Sequence, residues 1–155
     1  MIFNFCQMNQ QDADEIANLW KYSDLYSFYD STADEEDYLE FMDSEKRGNN
    51  YFSCYTENEL VGFYSVEILD GSIAELGLGL KPEYTGKGLG ISFINSVLNH
   101  ITRQYGINNF SLSVAAFNKR AIKAYEAVGF TKSKVFVQYT NGGCYEFIQM
   151  VKHTQ

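Results

Sequence analysis

The chain has 155 residues, enough for one domain with a sizeable core and too few for two domains of ordinary size. Hydrophobic residues make up 45% and aromatic residues 16%, a composition that is typical of a packed globular protein and excludes intrinsic disorder. The net charge of −8 produces a field that repels nucleic acid and anionic membranes, so neither is expected as a partner.

Localisation and metal binding can be judged from the cysteines and the N-terminus. Cys6, Cys54 and Cys144 are widely spaced and fit neither a disulfide framework nor a set of metal ligands, so no metal is expected. The first residues lack the basic region and long apolar core of a signal peptide. Reduced thiols are the default inside the cell, and we therefore predict a cytoplasmic protein.

The charges are distributed unevenly along the chain. Most acidic residues lie between Asp12 and Glu45, whereas the stretch Lys81–Lys134 is mainly basic. Charges on solvated helix faces can segregate in this way by chance. The alternative is functional: the basic half would suit an anionic cofactor and the acidic half a cationic substrate.

The N-terminal third is predicted to contain a short strand and two helices. Residues 2–8 form the strand, and the segment Asn9–Asp12 forms a turn and cap for a helix that ends near Lys21. The segment 31–36 caps a second helix, which the glycine at position 48 ends.

Between these helices, the segment 22–30 has no clean periodicity and is rich in aromatic residues. One interpretation is that its rings pack a loop onto the core. The other is that Tyr26, Tyr29 and Asp30 form a wall that receives a substrate amine, since amphipathic rings and a carboxylate suit a cation. The sequence leaves both open.

The rest of the chain predicts an α/β (α+β) fold with a mixed, mostly antiparallel sheet in a single domain, residues 1–155. Three strands form a meander, two strand-to-helix segments add a parallel pair, and a hairpin with an Asn-Gly turn closes the sheet. The predicted elements are the strands Tyr51–Thr56, Leu60–Leu69 and Ser72–Leu80, the helix Gly88–Tyr105, the strand Phe110–Ala115, the helix Asn118–Val128, and the hairpin strands Ser133–Thr140 and Cys144–Val151.

A glycine-rich turn joins the third meander strand to its helix. Gly86, Gly88 and Gly90 let backbone amides approach an anion at the positive end of the helix dipole, and Lys87 adds a cation. A magnesium-nucleotide loop is excluded because no hydroxyl residue follows Lys87, and the spacing does not fit a dinucleotide fingerprint. A turn without a ligand remains the alternative.

A second cluster follows the strand Phe110–Ala115. It has Asn118 as a helix cap, Ile122 and Tyr125 one turn apart, and Gly129 as a stop. Together with Pro82–Gly90, this cluster resembles the paired signature motifs of the GNAT acyl-CoA N-acetyltransferases, at the right order and spacing. The resemblance covers about residues 51–151, and it implies the GNAT fold: a sheet of about six or seven strands, splayed at its central parallel pair and flanked by about four helices.

The resemblance implies acetyl-CoA as cosubstrate and assigns residues to it. Asn118 would hold the cofactor arm, and the pantetheine would pair with the strand backbone at Leu78, Gly79 and Leu80. Thr85 stands where the family has Gln or Arg; its hydroxyl can still donate to phosphate, and Lys87 can supply the charge. The pyrophosphate would bind the turn amides of Gly86, Lys87, Gly88, Leu89, Gly90 and Ile91.

The implied reaction is direct attack of a neutral amine on the thioester, with no covalent enzyme intermediate and no metal. The resemblance makes Tyr125 the general acid that protonates the departing thiolate. Glu75 is favoured over Glu67 as the base, and a surface carboxylate is the alternative for either. His100 and His153 are expected to be solvated rather than catalytic.

Two functions are therefore considered. The first is an N-acetyltransferase acting on a primary amine, either a small molecule or a protein N-terminus. The second is a non-catalytic domain that binds acyl-CoA as a sensor or interaction module. The final hairpin could also pair between two copies of the chain and form a homodimer.

Overall fold

A computed structural model describes residues 1–153 of the chain, and seven strands form a single sheet. The strands are β1 (Asn4–Gln7), β2 (Tyr51–Thr56), β3 (Glu59–Leu69), β4 (Ile73–Leu80), β5 (Asn109–Ala115), β6 (Thr131–Thr140) and β7 (Gly143–His153). Their order across the sheet is β1-β2-β3-β4-β5-β7-β6, and only β4 and β5 run parallel. The mixed, mostly antiparallel sheet is as predicted.

Five α-helices and three 3₁₀ segments connect the strands. The helices are α1 (Gln10–Leu19), α2 (Glu35–Met42), α3 (Ser44–Arg47), α4 (Gly90–Tyr105) and α5 (Lys119–Ala127). The 3₁₀ segments are Asp24–Tyr29, Ser31–Ala33 and Pro82–Tyr84. In the part of the chain that the structure describes, no helix has the length and apolar character needed to cross a membrane.

Local signals fix most helix ends. The side chains of Asn9 and Asn118 accept hydrogen bonds from the Asp12 and Ala121 amides, which confirms both predicted caps. The second helix stops earlier than predicted, because the Asp43 carboxylate accepts from the Glu45 amide and starts a new turn. It is therefore a pair, α2 and α3, rather than one helix.

Two layers of side chains cover the sheet. Helices α4 and α5 pack on one face over the main core, where Phe93, Val97 and Ile101 are buried. Gly62 permits this close approach, since a Cβ there would lie 2.8 Å from the Phe93 ring. A smaller cluster around Ile16 holds α1 against the opposite face.

His100 is not solvated as the sequence suggested. Its Nδ1 lies 2.6 Å from the Tyr64 hydroxyl, its ring stacks on Phe5 at 4.8 Å, and Phe52 meets it edge-on. The helical pattern placed it on the outer side of α4, but the rings of β1 and β2 reach over that side. Burial lowers the pKa of His100, and Arg103 acts in the same direction.

This burial predicts a pH-dependent stability. Because the pKa of His100 is lower in the folded than in the unfolded protein, the unfolded state binds the proton more tightly. We expect the free energy of unfolding to fall as the pH drops below about 6.5 and to level off below the folded pKa. Urea titrations between neutral and acidic pH would show this, and His100→Asn, which keeps an acceptor for Tyr64, should reduce it.

The matched control is His153→Asn, which removes the chain's other histidine from an exposed position at the end of β7. It should leave the pH dependence unchanged. An equal effect of the two substitutions would contradict the role given to His100.

Candidate active site

The parallel strands β4 and β5 separate after a short pairing. Ala74, Glu75 and Leu76 lie opposite Phe110, Ser111 and Leu112, and no pair follows in the described sheet. The Lys81 amide donates to the Val61 carbonyl on β3. Because the backbone N–H and C=O groups of successive strand residues point to opposite sides, those of Leu80 and Leu78 point away from β3. The separation therefore exposes a strand edge along the second half of β4.

A cleft of about 660 Å³ occupies this opening. The carboxyl ends of parallel strands are where α/β sheets commonly bind ligands. The cleft is lined by β4 from Leu76 to Leu80, the glycine turn, α5, the 3₁₀ segment Asp24–Tyr29 and the end of α1. The sequence-predicted residues among its walls are Leu78, Gly79, Leu80, Thr85, Gly86, Gly88, Gly90, Ile91, Asn118, Tyr125, Tyr26 and Tyr29.

The glycine turn at one end of the cleft adopts the conformation that its sequence requires. Gly86 and Gly88 have φ values of 71° and 77°, in the left-handed region that favours glycine, so α4 begins at Gly90 rather than Gly88. The first intrahelical donor is the Phe93 amide, bonded to Leu89, and no side chain caps the preceding amides of this described helix. These amides are available to an anion.

Thr85 and Lys87 take different roles from those expected. The Thr85 hydroxyl donates to the Pro82 carbonyl at 2.7 Å, which closes the 3₁₀ turn instead of leaving a free donor. Lys87 is exposed and does not line the cleft, and neither does the side chain of Leu89.

Arg120 and Lys123 of α5 are the basic residues among the described lining residues. A Cβ placed on Gly86 would lie 3.0 Å from Nη1 of Arg120, and the guanidinium carbon lies 4.3 Å from the centre of the Tyr26 ring. Sequence analysis did not identify Arg120. Its position two residues after the Asn118 cap could have indicated it. Since α4 and α5 start at the same edge of the sheet, a residue early in α5 lies close to the turn before α4.

Asn118 connects the start of α5 to the aromatic segment. Its Oδ1 accepts from the Ala121 amide, and its Nδ2 donates to the Tyr29 hydroxyl at 3.0 Å. Burial raises the pKa of Tyr29, opposed by this hydrogen bond and by one from the Ala115 backbone. Tyr29 is therefore fixed as a neutral hydroxyl at the cleft wall.

Tyr125 projects into the cleft from the middle of α5. Its ring packs edge-on against Phe130, with ring centres 5.7 Å apart, and its hydroxyl makes no hydrogen bond within residues 1–153. Burial raises the pKa of Tyr125, and the neighbouring Tyr29 adds to the effect. The hydroxyl is therefore protonated at neutral pH and can donate to a group in the cleft.

Aromatic side chains form the opposite wall. Tyr22 donates from its hydroxyl to the Leu80 carbonyl at 2.6 Å, and so joins this wall to the free edge of β4. Trp20 and Phe63 extend the wall inward, with ring centres 6.2 Å apart. Tyr22 belongs to the aromatic segment singled out in the sequence, but Trp20 and Phe63 were not expected here, because the contacts between α1, β3 and β4 join residues that are distant in sequence.

The aromatic segment packs onto the rest of the fold and also contributes two residues to the cleft lining. Phe28 packs edge-on against Tyr145 and Phe117, which anchors the segment to the final hairpin and to the loop before α5. Tyr26 and Tyr29 line the cleft. Asp30 does not: its carboxylate accepts from the Tyr22 amide at 2.8 Å, and it borders a separate shallow cavity.

Glu75 also lies outside the cleft lining. It is exposed, opposite Glu67 on β3 and Ser111 on β5, one residue before the strands separate. Because side chains alternate along a strand, Glu75 shares a face with Gly77, which does line the cleft. No carboxylate is among the lining residues within 1–153.

Known proteins with similar sequences are acetyltransferases. Residues 3–131 match the family model described as Acetyltransferase (GNAT) domain. The acetyltransferase PseH of Campylobacter jejuni is 25% identical over 134 residues, which cover 83% of this chain and 82% of the relative. A mycothiol acetyltransferase of Corynebacterium glutamicum is 37% identical over 82 residues, 52% of this chain but only 28% of that protein.

Solved structures support the fold. A chimera of the Vibrio cholerae spermidine N-acetyltransferase SpeG superposes with a TM-score of 0.78 at 24% identity, covering 97% of this chain and 94% of that chain. A GNAT-family acetyltransferase from Bacillus anthracis gives 0.74 at 16% identity, with coverage of 96% and 93%.

A splayed mixed sheet, with a glycine turn of uncapped amides beside a cleft, is compatible with the architecture of an acyl-transfer enzyme. The chain belongs to the GNAT family, whose members are acyl-CoA-dependent N-acetyltransferases.

The position of Asp30 leads to a test of its role. If the carboxylate acts by holding the Tyr22 amide, Asp30→Asn keeps an acceptor and should change the free energy of unfolding little, whereas Asp30→Ala should lower it by about 1–2 kcal/mol. Chemical denaturation of both variants measures the difference. Equal stabilities of Asp30→Ala and wild type would show that this hydrogen bond does not hold the wall.

Proposed function

We propose that this protein transfers the acetyl group of acetyl-CoA directly to a primary amine within a ternary complex. The observation that carries the proposal is the cleft itself, which has a free strand edge, an amide-lined turn and two basic side chains along one side. The parts of acetyl-CoA match these features in order. Its amide-containing arm can pair with the strand edge, and its anionic diphosphate suits the turn amides and the basic side chains. The aromatic wall on the other side leaves room for the amine.

The donor side fits acetyl-CoA, which would supply an acetyl group activated as a thioester. The backbone of Leu78 and the amide of Leu80 can pair with the amides of the pantetheine arm, as a neighbouring strand would. The turn amides and the positive end of α4 favour the pyrophosphate. Arg120 and Lys123 add charge of the matching sign.

Tyr125 is proposed as the general acid. It lines the cleft from α5, its hydroxyl is free of other partners in the described chain, and its raised pKa keeps it protonated until negative charge develops on sulfur. When the C–S bond breaks, the proton of Tyr125 passes to the thiolate. The preceding attack needs an amine held in line with the thioester. The aromatic wall would hold the amine, and β4 would hold the thioester beside it.

Glu75 is proposed as the base, acting through water. The described lining has no carboxylate, and Glu75 lies two residues before Gly77 on the same strand face, at the point where β4 and β5 part. A base can act through one bridging water. Ser113, on the neighbouring strand, lines the cleft and offers a hydroxyl to such a water.

The acceptor is proposed to be an amine with no second cationic group near it. Trp20, Tyr22, Tyr26, Tyr29 and Phe63 give this wall rings and hydroxyls. The solved SpeG structures concern a spermidine N-acetyltransferase, but a polyamine here would find no carboxylate partner in the described cleft. A small monoamine with an apolar body, or a protein N-terminus, suits these walls better.

Acetyl-CoA should raise the melting temperature of the wild-type protein, because a ligand that binds only the native state stabilises it. Tyr125→Phe should keep that shift and lower kcat by about 10²- to 10⁴-fold, since only proton donation is lost. Thermal melts and thiol release with a panel of amines measure the two effects. Absence of a shift at millimolar acetyl-CoA would contradict the proposed donor.

The control for Tyr125 is Tyr139→Phe, which removes a hydroxyl from a side chain that is 73% exposed on β6. It should match wild type in both measurements. An unchanged kcat in Tyr125→Phe would remove Tyr125 from the mechanism.

The role of Glu75 can be isolated with a matched pair. Glu75→Gln should lower kcat/KM by roughly 10- to 100-fold while leaving donor affinity unchanged, because proton acceptance is lost and shape is kept. Glu67→Gln removes the carboxylate directly opposite on β3 and should have little effect. If the two variants lose activity equally, or neither does, Glu75 is not the base.

A further inference from the structure

Arg120 lies at the junction of the donor side and the acceptor side of the cleft. Its guanidinium is 4.3 Å from the centre of the Tyr26 ring, which belongs to the acceptor wall. On the other side, Nη1 would be 3.0 Å from a Cβ on Gly86, so the cation lies directly over the turn. One side chain thus contacts both halves of the site.

In the described part of the chain, no other cation takes this position at the turn. The Thr85 hydroxyl is bonded to Pro82, and Lys87 is exposed outside the described lining. The second basic lining residue, Lys123, lies nearly one helical turn further along α5. Among residues 1–153, Arg120 is therefore the cation with a close contact to the turn.

The guanidinium carbon of Arg120 lies 4.3 Å from the centre of the Tyr26 ring, a distance at which the two planar groups can stack face to face. A guanidinium is planar, so contact of its face with an aromatic ring keeps the N–H groups at its edge free. Those edge donors match two phosphate oxygens in a forked arrangement. Arg120 can therefore hold Tyr26 and an anion at the same time.

The 3₁₀ segment Asp24–Tyr29 contributes Tyr26 and Tyr29 to the acceptor wall. No residue of the 3₁₀ segment Asp24–Tyr29 is buried. Phe28 anchors the segment to the final hairpin, where its ring packs on Tyr145 and its carbonyl accepts from Asn141. The two cleft-lining residues are attached elsewhere: Tyr26 contacts Arg120, and Tyr29 accepts from Asn118. Both of these contacts lead to the start of α5, next to the donor side.

We propose that Arg120 binds the diphosphate of the donor with its edge while its face holds Tyr26, so that donor binding fixes the Asp24–Tyr29 segment of the acceptor wall. This inference rests on the proposed use of acetyl-CoA. Because the phosphate oxygens would hold the guanidinium in place, the ring stacked on it loses freedom of motion. Acceptor binding would then lose less conformational entropy once the donor is bound, and the affinities for donor and acceptor would be coupled.

Calorimetric titration with CoA tests the first part. Arg120→Gln should raise the CoA dissociation constant by roughly 10-fold or more, as expected for loss of a charge-assisted hydrogen bond. Lys119→Gln is the matched control: it removes the same charge from the adjacent exposed position, outside the cleft lining, and should leave CoA affinity within about twofold. Equal affinities of the two variants would overturn the assignment of Arg120 to the diphosphate.

Hydrogen exchange tests the coupling without any activity measurement. In wild type and in Lys119→Gln, saturating CoA should slow exchange in peptides that contain residues 24–30, including the Tyr26 and Asp30 amides that bond to Ser23 and Ser27. In Arg120→Gln, saturating CoA should leave this exchange unchanged. Equal protection in Arg120→Gln and wild type would overturn the coupling.

Tyr26 provides the reciprocal variants. Tyr26→Phe keeps the ring face and should retain the CoA-induced protection, whereas Tyr26→Leu should lose it. If Tyr26→Leu keeps the protection, the ring does not transmit the effect. Failure of wild type to bind CoA at all would instead contradict the proposed donor, so the two failures are distinguishable.

Discussion

The parting of β4 from β5 after three paired residues is the constraint on which the rest of the structure depends. A sheet interior normally satisfies every backbone amide and carbonyl by pairing, and unpaired polar groups away from water are costly. Here the backbone polar groups of Leu78 and Leu80 face the opening, where the Leu80 carbonyl accepts from the Tyr22 hydroxyl. The strand edge remains stable because the cleft is open to water, and a ligand rich in amides can complete the pairing without moving the sheet.

The splay also explains why the two motifs, far apart in sequence, act together. Since β4 and β5 run parallel, their carboxyl ends meet at one edge, and α4 and α5 both start there. The turn before α4 contributes amides, and α5 contributes Arg120, Asn118 and Tyr125. Asn118 and Arg120 then reach the aromatic segment, so the proposed donor side and the proposed acceptor wall share the same two side chains.

Local signals in the sequence predicted what depends on local physics. The caps Asn9 and Asn118, the breaks at glycine and the alternation of the strands gave the elements and their order, and the paired motifs indicated the family. Contacts between distant segments were not predictable in this way. His100 looked solvated on α4 alone, and the rings that cover it come from β1 and β2. Asp30 looked like a ligand for an amine, but its carboxylate bonds to the Tyr22 amide.

The separation of charge on this protein suits the chemistry of its acceptor. The overall charge of −8 attracts ammonium groups from a distance, while the described cleft walls carry no carboxylate. An ammonium that enters an apolar aromatic cleft without a counterion is destabilised, so its pKa falls and the neutral amine is favoured. Only the neutral amine can attack a thioester. This gives a physical reason for the proposed role of Glu75: a base at the rim would receive the proton at the boundary with water, where a carboxylate remains charged at little cost, and would leave the interior of the cleft to the uncharged nucleophile.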